Sequence, residues 1–227
     1  MTAWDESADE RLKFTEFTDG GEAGVEETDA HVQLFTEVDH RSLDASGQRW
    51  ERLIFERCLF GDAALGRLMT VGCSFVSCDF TQTDLSRSRH AHSAFVSCAF
   101  RETVLTEASF SECRFTGSVF ADIAAQGIHF DGGDLSDTTL RDVTLADLDL
   151  SGVRFAGSDL TGANLSGSNL GGADLRDAVV SGVDLRNTDL RGALLGALDL
   201  RYVDLSGAKI DTEQALALVR SFGIEIG

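Results

Sequence analysis

The chain has 227 residues, of which 43% are hydrophobic, and its 38 acidic and 19 basic residues give a net charge of −19. This composition excludes a disordered chain and a membrane protein. The negative charge argues against direct binding of nucleic acid, and it allows a basic protein partner.

Proline is absent, whereas an average usage of about 5% would give roughly eleven prolines. The five cysteines are too few for a disulfide scaffold of this length. The acidic N-terminus does not resemble a secretory signal, and no apolar run approaches the length of a membrane span. We therefore expect a cytoplasmic protein with reduced thiols.

Residues 1–37 are the first predicted segment. They contain many acids and few bulky apolar side chains beyond Trp4, Phe14, Phe17 and Phe35. We predict that they form an acidic N-terminal extension that is largely flexible.

A five-residue repeat organises residues 38–212. Of the 32 residues at every fifth position from Phe55 to Ile210, 29 are Phe, Leu, Ile or Val. The position two residues before each of these is never charged, and it holds all five cysteines. This period fits neither an α-helix nor a plain strand. It indicates a chain that turns a corner every five residues, with two side chains of each pentad pointing inward.

A second period of twenty residues supports this interpretation. FERCLF begins at residue 55, FVSCDF at 75 and FVSCAF at 95, so identical residues would stack when four corners close one coil. Each coil would pair its backbone with the coils above and below, and proline would remove a donor from that ladder. The predicted fold class is all-β, a right-handed quadrilateral β-helix over residues 38–212.

A short capping helix is predicted at the C-terminus, in residues 213–227. Asp211 or Thr212 can cap its N-terminus, and Gln214 can complete a capping box. Leu216, Val219 and Phe222 form an apolar stripe, with Ile224 beyond it. Because one thin coil cannot cover this stripe, we expect the segment to form a homodimer.

The cysteine spacing disfavours a metal site. Cys58, Cys78 and Cys98 would stack and point the same way, which suits neither tetrahedral ligation nor a disulfide. Thr70 and His90 share one column of the coil, so a buried hydrogen bond between coils would explain both residues. No catalytic motif appears in a usable context. We expect a protein without enzymatic activity, metal or other cofactor.

One face of the predicted coil is more acidic than the others. The column of pentads that begins at Cys58 has a net charge of −4, against −1, −2 and −2 for the other three. Its candidate partner-binding acids are Asp62, Asp79, Glu102, Asp122, Asp142, Asp159 and Asp199. They form either a solvated surface that maintains solubility or a rigid anionic rod offered to a basic groove.

The repeat resembles the pentapeptide-repeat family, as in Ala163-Asn164-Leu165-Ser166-Gly167. Residues 75–120 and the tail GAKIDTEQALALVRSFG at 207–223 resemble the MfpA-type branch, the mycobacterial fluoroquinolone-resistance proteins. This resemblance implies a β-helical dimer joined through its C-terminal cap. It also implies that the acidic rod imitates B-DNA, inhibits DNA gyrase and lessens fluoroquinolone action.

Two departures from that branch refine the expectation. An acidic extension precedes the coil, and no loop interrupts it. If the protein acts on gyrase, we expect an inhibitor that competes with DNA, more than a rescuer that depends on loops. The alternative is a scaffold or adaptor for an unrelated protein partner.

Overall fold

The computed structural model describes residues 27–28, 32–196 and 203–221. They form a right-handed quadrilateral β-helix followed by one helix, which confirms the predicted fold class. The helix, α1, spans Thr212–Ser221. The strands are β1 (Glu27–Thr28), β2 (Val32–Thr36), β3 (Arg49–Glu51), β4 (Leu53–Glu56), β5 (Met69–Val71), β6 (Ser74–Val76), β7 (Arg89–Ala91), β8 (Ala94–Val96), β9 (Ala99–Arg101), β10 (Ser109–Ser111), β11 (Val119–Ala121) and β12 (His129–Asp131).

The coils pair in parallel at a register of twenty residues. Phe55 lies opposite Phe75, and Phe75 lies opposite Phe95. Isolated bridges continue this register as far as the pair Asp189 and Lys209. We number the four faces from residues 53–57 (first), 58–62 (second), 63–67 (third) and 68–72 (fourth), each with its equivalents twenty residues before and after.

The ladder begins at β2, which pairs in parallel with β4. Phe35 stacks on Phe55 with ring centroids 4.9 Å apart, so the aromatic column continues below residue 38, where the sequence division placed the start of the coil. β1 pairs with β2 in the antiparallel direction at this end. The rest of the predicted extension, residues 1–26 and 29–31, lies outside the described residues.

Stacked phenylalanines fill the lower half of the core. On the first face, Phe75 and Phe95 lie 4.8 Å apart and within 4° of parallel; on the second face, Phe60 and Phe80 lie 5.0 Å apart. These separations match the strand spacing of about 4.8 Å, so each ring sits directly on the ring of the next coil. Above Phe130 the central positions are mainly leucine, and these are buried as far as Leu190.

A buried polar network interrupts the column on the fourth face. Thr70 Oγ1 and His90 Nδ1 are 2.7 Å apart, which confirms the predicted hydrogen bond between coils. Ser88 Oγ lies 2.9 Å from His90 Nε2, and Ser93 Oγ lies 3.0 Å from Thr70 Oγ1. Both imidazole nitrogens therefore have partners, although the ring is buried between coils.

All five cysteines are free and buried, as their place in the repeat predicts. Burial raises the pKa of Cys73 to about 11 and that of Cys113 to about 12, because a thiolate loses its hydration there. Within the described ranges, no cluster of three or more His, Cys, Asp or Glu side chains is placed to hold a metal ion.

The helix α1 covers the last described coils. Asp211 and Gln214 form a reciprocal capping box, since each backbone N–H donates to the other side chain at 2.9 Å. Gln214 Nε2 also donates to the carbonyl oxygens of Leu190 and Ala193 at 2.6 and 2.9 Å. The carboxylate of Asp211 accepts the N–H of Gly192 at 2.9 Å. The cap thus satisfies backbone groups of the coil as well as those of the helix.

The apolar stripe of α1 is described only in part. Leu216 is exposed and Val219 is half-buried, whereas Phe222 and Ile224 lie outside the described residues. Among the helices that the structure describes, none is long and apolar enough to cross a membrane.

Candidate functional site: an acidic corner row

The corners of the coil impose a left-handed backbone. Asp62, Glu102, Asp122 and Asp142 have φ values of 58°, 53°, 53° and 58°. Asp, Asn and Gly tolerate this region best, which explains why they are common two residues after each central position. Side chains at these corners project into solvent, and all four of these acids are exposed.

On the second face, the corner residues form one continuous row, which we call the acidic corner row: Asp62, Gln82, Glu102, Asp122 and Asp142. Consecutive members are twenty residues apart, so they stack at about 4.8 Å per coil. Gln82 Nε2 donates to Glu102 Oε2 at 3.0 Å. Gly162 and Gly182 occupy the next two corners. A side chain at Gly162 would collide with the carboxylate of Asp142, which leans over that glycine.

The other three corner rows contain basic residues. The first face has Arg57, the third has Arg67 and Arg87, and the fourth has Arg52 and His92. Within the described part of the chain, the row on the second face is the one with no Arg, Lys or His. The acidic corner row therefore has no base within the row itself, although Asp39 and, to a smaller extent, Asp62 raise the pKa of Arg41 on the same face. The exposed Arg101, beside it on the same face, is the nearest unpaired base in sequence.

Asp79 and Asp159 lie apart from this row. They occupy the flat part of the second face, are half-buried, and accept hydrogen bonds from Thr81 and Thr161. Asp159 also accepts from Arg141 Nε at 2.6 Å. Burial tends to raise the pKa of Asp159, but the bonds from Thr161 and Arg141 outweigh it and lower the pKa overall. These two carboxylates are engaged within the coil.

The structure therefore divides six of the seven predicted acids into two groups. It brings Asp62, Glu102, Asp122 and Asp142 into one exposed row, it places Asp79 and Asp159 on the flat face, and Asp199 lies outside the described residues. Sequence reasoning missed Gln82, which fills the gap between Asp62 and Glu102. Combining the twenty-residue period with the position within the pentad could have found it.

The comparisons with known proteins agree with this architecture. The model for pentapeptide repeats matches residues 139–177, 154–192 and 181–211. The model for a pentapeptide repeat region matches residues 72–150. Among curated proteins, no sequence match was found.

Solved structures of QnrB1, described as a plasmid-mediated fluoroquinolone resistance protein, share the fold. One trypsin-treated variant has a TM-score of 0.78 and 25% sequence identity, covering 86% of this chain and 97% of the other. A second trypsin-treated variant has a TM-score of 0.73 and 24% identity, with coverage of 86% and 98%. The full-length structure has a TM-score of 0.52 and 23% identity, with coverage of 86% and 100%. Together with the repeat models and the twenty-residue ladder, these likenesses show that the chain belongs to the pentapeptide-repeat family.

Proposed function

We propose that the protein is a non-enzymatic DNA mimic that binds and inhibits DNA gyrase, a type II topoisomerase, in the cytoplasm. The observation that supports this proposal most is the acidic corner row, a straight line of exposed carboxylates without an intervening base. A basic saddle that normally holds a DNA segment would accept such a rod. Lessened fluoroquinolone action would follow, which is the property named for QnrB1.

The likeness to DNA is closer in shape than in charge. The carboxylates of Glu102, Asp122 and Asp142 repeat at about 4.8 Å, and Gln82 separates them from Asp62, whereas the phosphates of one DNA strand repeat at about 3.4 Å. Residues 53–212 have a net charge of −9 over 160 residues, or about one negative charge per twenty-residue coil. Duplex DNA carries about three charges over the same rise. We therefore expect binding that weakens as salt rises and that depends on where the carboxylates lie.

Neutralising the row should weaken inhibition without disturbing the coil. We expect the triple variant Asp62→Gly, Asp122→Gly, Asp142→Gly to require about tenfold more protein for half-inhibition of gyrase supercoiling, since three exposed charge contacts of roughly 0.5 kcal/mol each give about that factor. Glycine already occupies the equivalent corners at 162 and 182, so the substituted corners keep an allowed backbone.

A matched control separates position from total charge. The triple variant Asp137→Gly, Asp147→Gly, Asp177→Gly removes the same charge from exposed corners on the first and third faces, where φ is 57°, 58° and 61°. It should inhibit like the unmodified protein. Equal loss in both variants would show that only net charge matters.

If the unmodified protein leaves supercoiling unaffected at low salt, the gyrase proposal fails and a scaffold or adaptor role takes its place.

We also propose that the protein is a homodimer joined through α1 and the residues after it. Leu216 is 37% exposed on this helix, a large fraction for a leucine on a capping element. We expect Leu216→Asp to give a monomer, because a carboxylate would be buried unpaired in the interface. Light scattering measures the mass, and the exposed Glu213→Gln serves as the control. An unchanged dimer mass for Leu216→Asp would place the interface elsewhere.

A further inference from the structure

The backbone ladder is open at one boundary between coils. Residues 121–132 face residues 141–152 at the last corner of the second face and along the third and fourth faces, and seven backbone bonds of the regular pattern are missing there. In the described coils immediately below and above, the equivalent bonds are present, for example Leu105 N–H to Ala124 O and Leu145 N–H to Asn164 O, both at 2.8 Å. The donors left without a backbone partner are the N–H groups of Asp122, Ala125, Gly127, Phe130, Gly132, Thr144 and Asp149.

The side chains at this boundary explain the opening. Positions that elsewhere hold mainly small residues carry two stacked bulky pairs, Ile123 with Val143 and Ile128 with Leu148. One stacked branched pair is accommodated elsewhere, since Val183 lies below Val203 and the bond from Leu185 N–H to Asp204 O is kept at 3.2 Å. Two adjacent bulky pairs at inward positions together need more room than the strand spacing of about 4.8 Å gives. Ala125, at a central position otherwise mostly Leu or Phe, leaves space beside them.

A cavity of about 500 Å³ lies in the opening at the corner between the second and third faces. Its apolar lining includes Ile123, Ala125, Val143 and Leu148. Its polar lining includes Asp122, Gln126, Arg141 and Asp142. The cavity thus combines an apolar floor with two backbone edges that have unused donors and acceptors.

Unpaired backbone groups along two strand edges match one class of ligand, an extended polypeptide, which carries the same alternating N–H and C=O groups. The charges around the opening select among peptides. Two exposed carboxylates, Asp122 and Asp142, line the cavity, and three more exposed acids lie in the two facing segments, Asp131, Asp147 and Asp149. Of the bases in the two segments, Arg141 is already bound by Asp159, and the exposed His129 interacts with Asp149. A basic segment therefore fits better than an acidic or neutral one.

We propose that this opening, between residues 121–132 and 141–152, is a docking slot for an extended basic segment of a partner protein, which adds a strand to the coil. The inference goes beyond gyrase inhibition and does not depend on it, because the slot recognises backbone and charge in any partner that supplies such a segment.

Hydrogen exchange tests the slot in the free protein. The amides of Ala125, Gly127 and Phe130 should exchange at least about tenfold faster than those of Leu105, Glu107 and Leu145, which are bonded in the neighbouring coils. Equal protection of the two sets would mean that the ladder is closed in solution, and the proposal would be wrong.

Peptide binding tests the occupant. The probe is a short, acetylated and amidated peptide of alternating valine and lysine, titrated while the same amides are followed. We expect saturable binding and protection of the slot amides. Two control peptides, one with glutamate in place of lysine and one with alternate amides N-methylated, should bind at least about tenfold more weakly, because each loses charge complementarity or strand bonds. Absent binding, or equal binding of the N-methylated peptide, would overturn the proposal.

Variants link the binding to this boundary. Ile123→Thr, Ala125→Leu, Ile128→Ala copies Thr103, Leu105 and Ala108 from the coil below, so it should close the ladder and abolish peptide binding. If that variant does not fold, Asp131→Asn with Asp149→Asn provides an independent measurement and should weaken binding several-fold. Undiminished binding in a folded variant of either kind would place the peptide elsewhere.

Discussion

Replacing Phe100 with alanine is expected to lower the free energy of unfolding by about 3–5 kcal/mol, the usual loss for a fully buried phenylalanine. The Phe100 ring is 0% exposed and lies between Phe80 and Phe120, at 5.0 and 4.8 Å and nearly parallel to both. Its edges meet Phe95 and Phe115. Neighbouring coils hold these rings in register, so the surroundings cannot collapse into the cavity.

Equilibrium urea unfolding, followed by circular dichroism, measures this loss. Val104→Ala is the control, since that side chain lies in the next pentad but is 37% exposed, and it should cost less than about 0.5 kcal/mol. Similar losses for the two variants would mean that burial within the aromatic column adds no more stability than a partly exposed side chain does.

Acid is expected to destabilise the fold through His90. Burial lowers the pKa of His90 from 6.5 to about 3, because the imidazolium would have no water in the core. Between these two values the unfolded chain binds a proton that the folded chain does not. The stability is therefore complete above about pH 6.5 and falls as pH decreases towards 3, with a slope of up to about 1.4 kcal/mol per pH unit.

The control for this effect is His90→Phe, which continues the column towards Phe110. Thr70 keeps Ser93 as a partner, and Ser88 still donates to the carbonyl of Leu85 at 2.7 Å. The variant should show a flatter stability profile between about pH 4 and 6.5. Arg176 and Arg191 are the chief reason that the carboxyls of Asp174 and Asp189 have a pKa of about 2. The stability that these two carboxylates contribute is therefore lost only as pH falls below 3.8, the ordinary pKa of aspartate. An identical profile for both proteins would show that His90 does not control acid sensitivity.

The sequence predicts most of this fold because the same pattern of two inward-pointing residues recurs in every pentad. The twenty-residue period fixes which residues stack, and it correctly pairs Thr70 with His90. The period does not show whether the inward side chains of two neighbouring coils fit within one strand spacing. The opening at Ile123 and Val143 depends on the combined volume of residues from different coils. A single pentad at that point contains no signal of it.

The sequence predicts which face of the coil carries the candidate site, but not which acids of that face lie in one exposed row. Counting charges by column finds the second face, but it treats a flat position such as Asp159 like a corner such as Asp142. The difference is conformational: the corner has a left-handed backbone and projects its carboxylate, whereas the flat position bonds its own pentad through Thr161. The ladder starts at β2, before residue 38, because β2 pairs with β4. The five-residue repeat alone does not show this pairing.

The two ends of the coil also determine how large an assembly it can form. A parallel ladder is a template that can add strands indefinitely, as cross-β fibres do. Here β1 lies antiparallel beside β2, the first strand of the ladder, and α1 occupies the last described rungs through Gln214. An antiparallel strand and an α-helix cannot pair with each other as rungs of one parallel ladder. A parallel rung from another copy would have to displace β1 or α1, so the length of the described coil follows from its number of pentads.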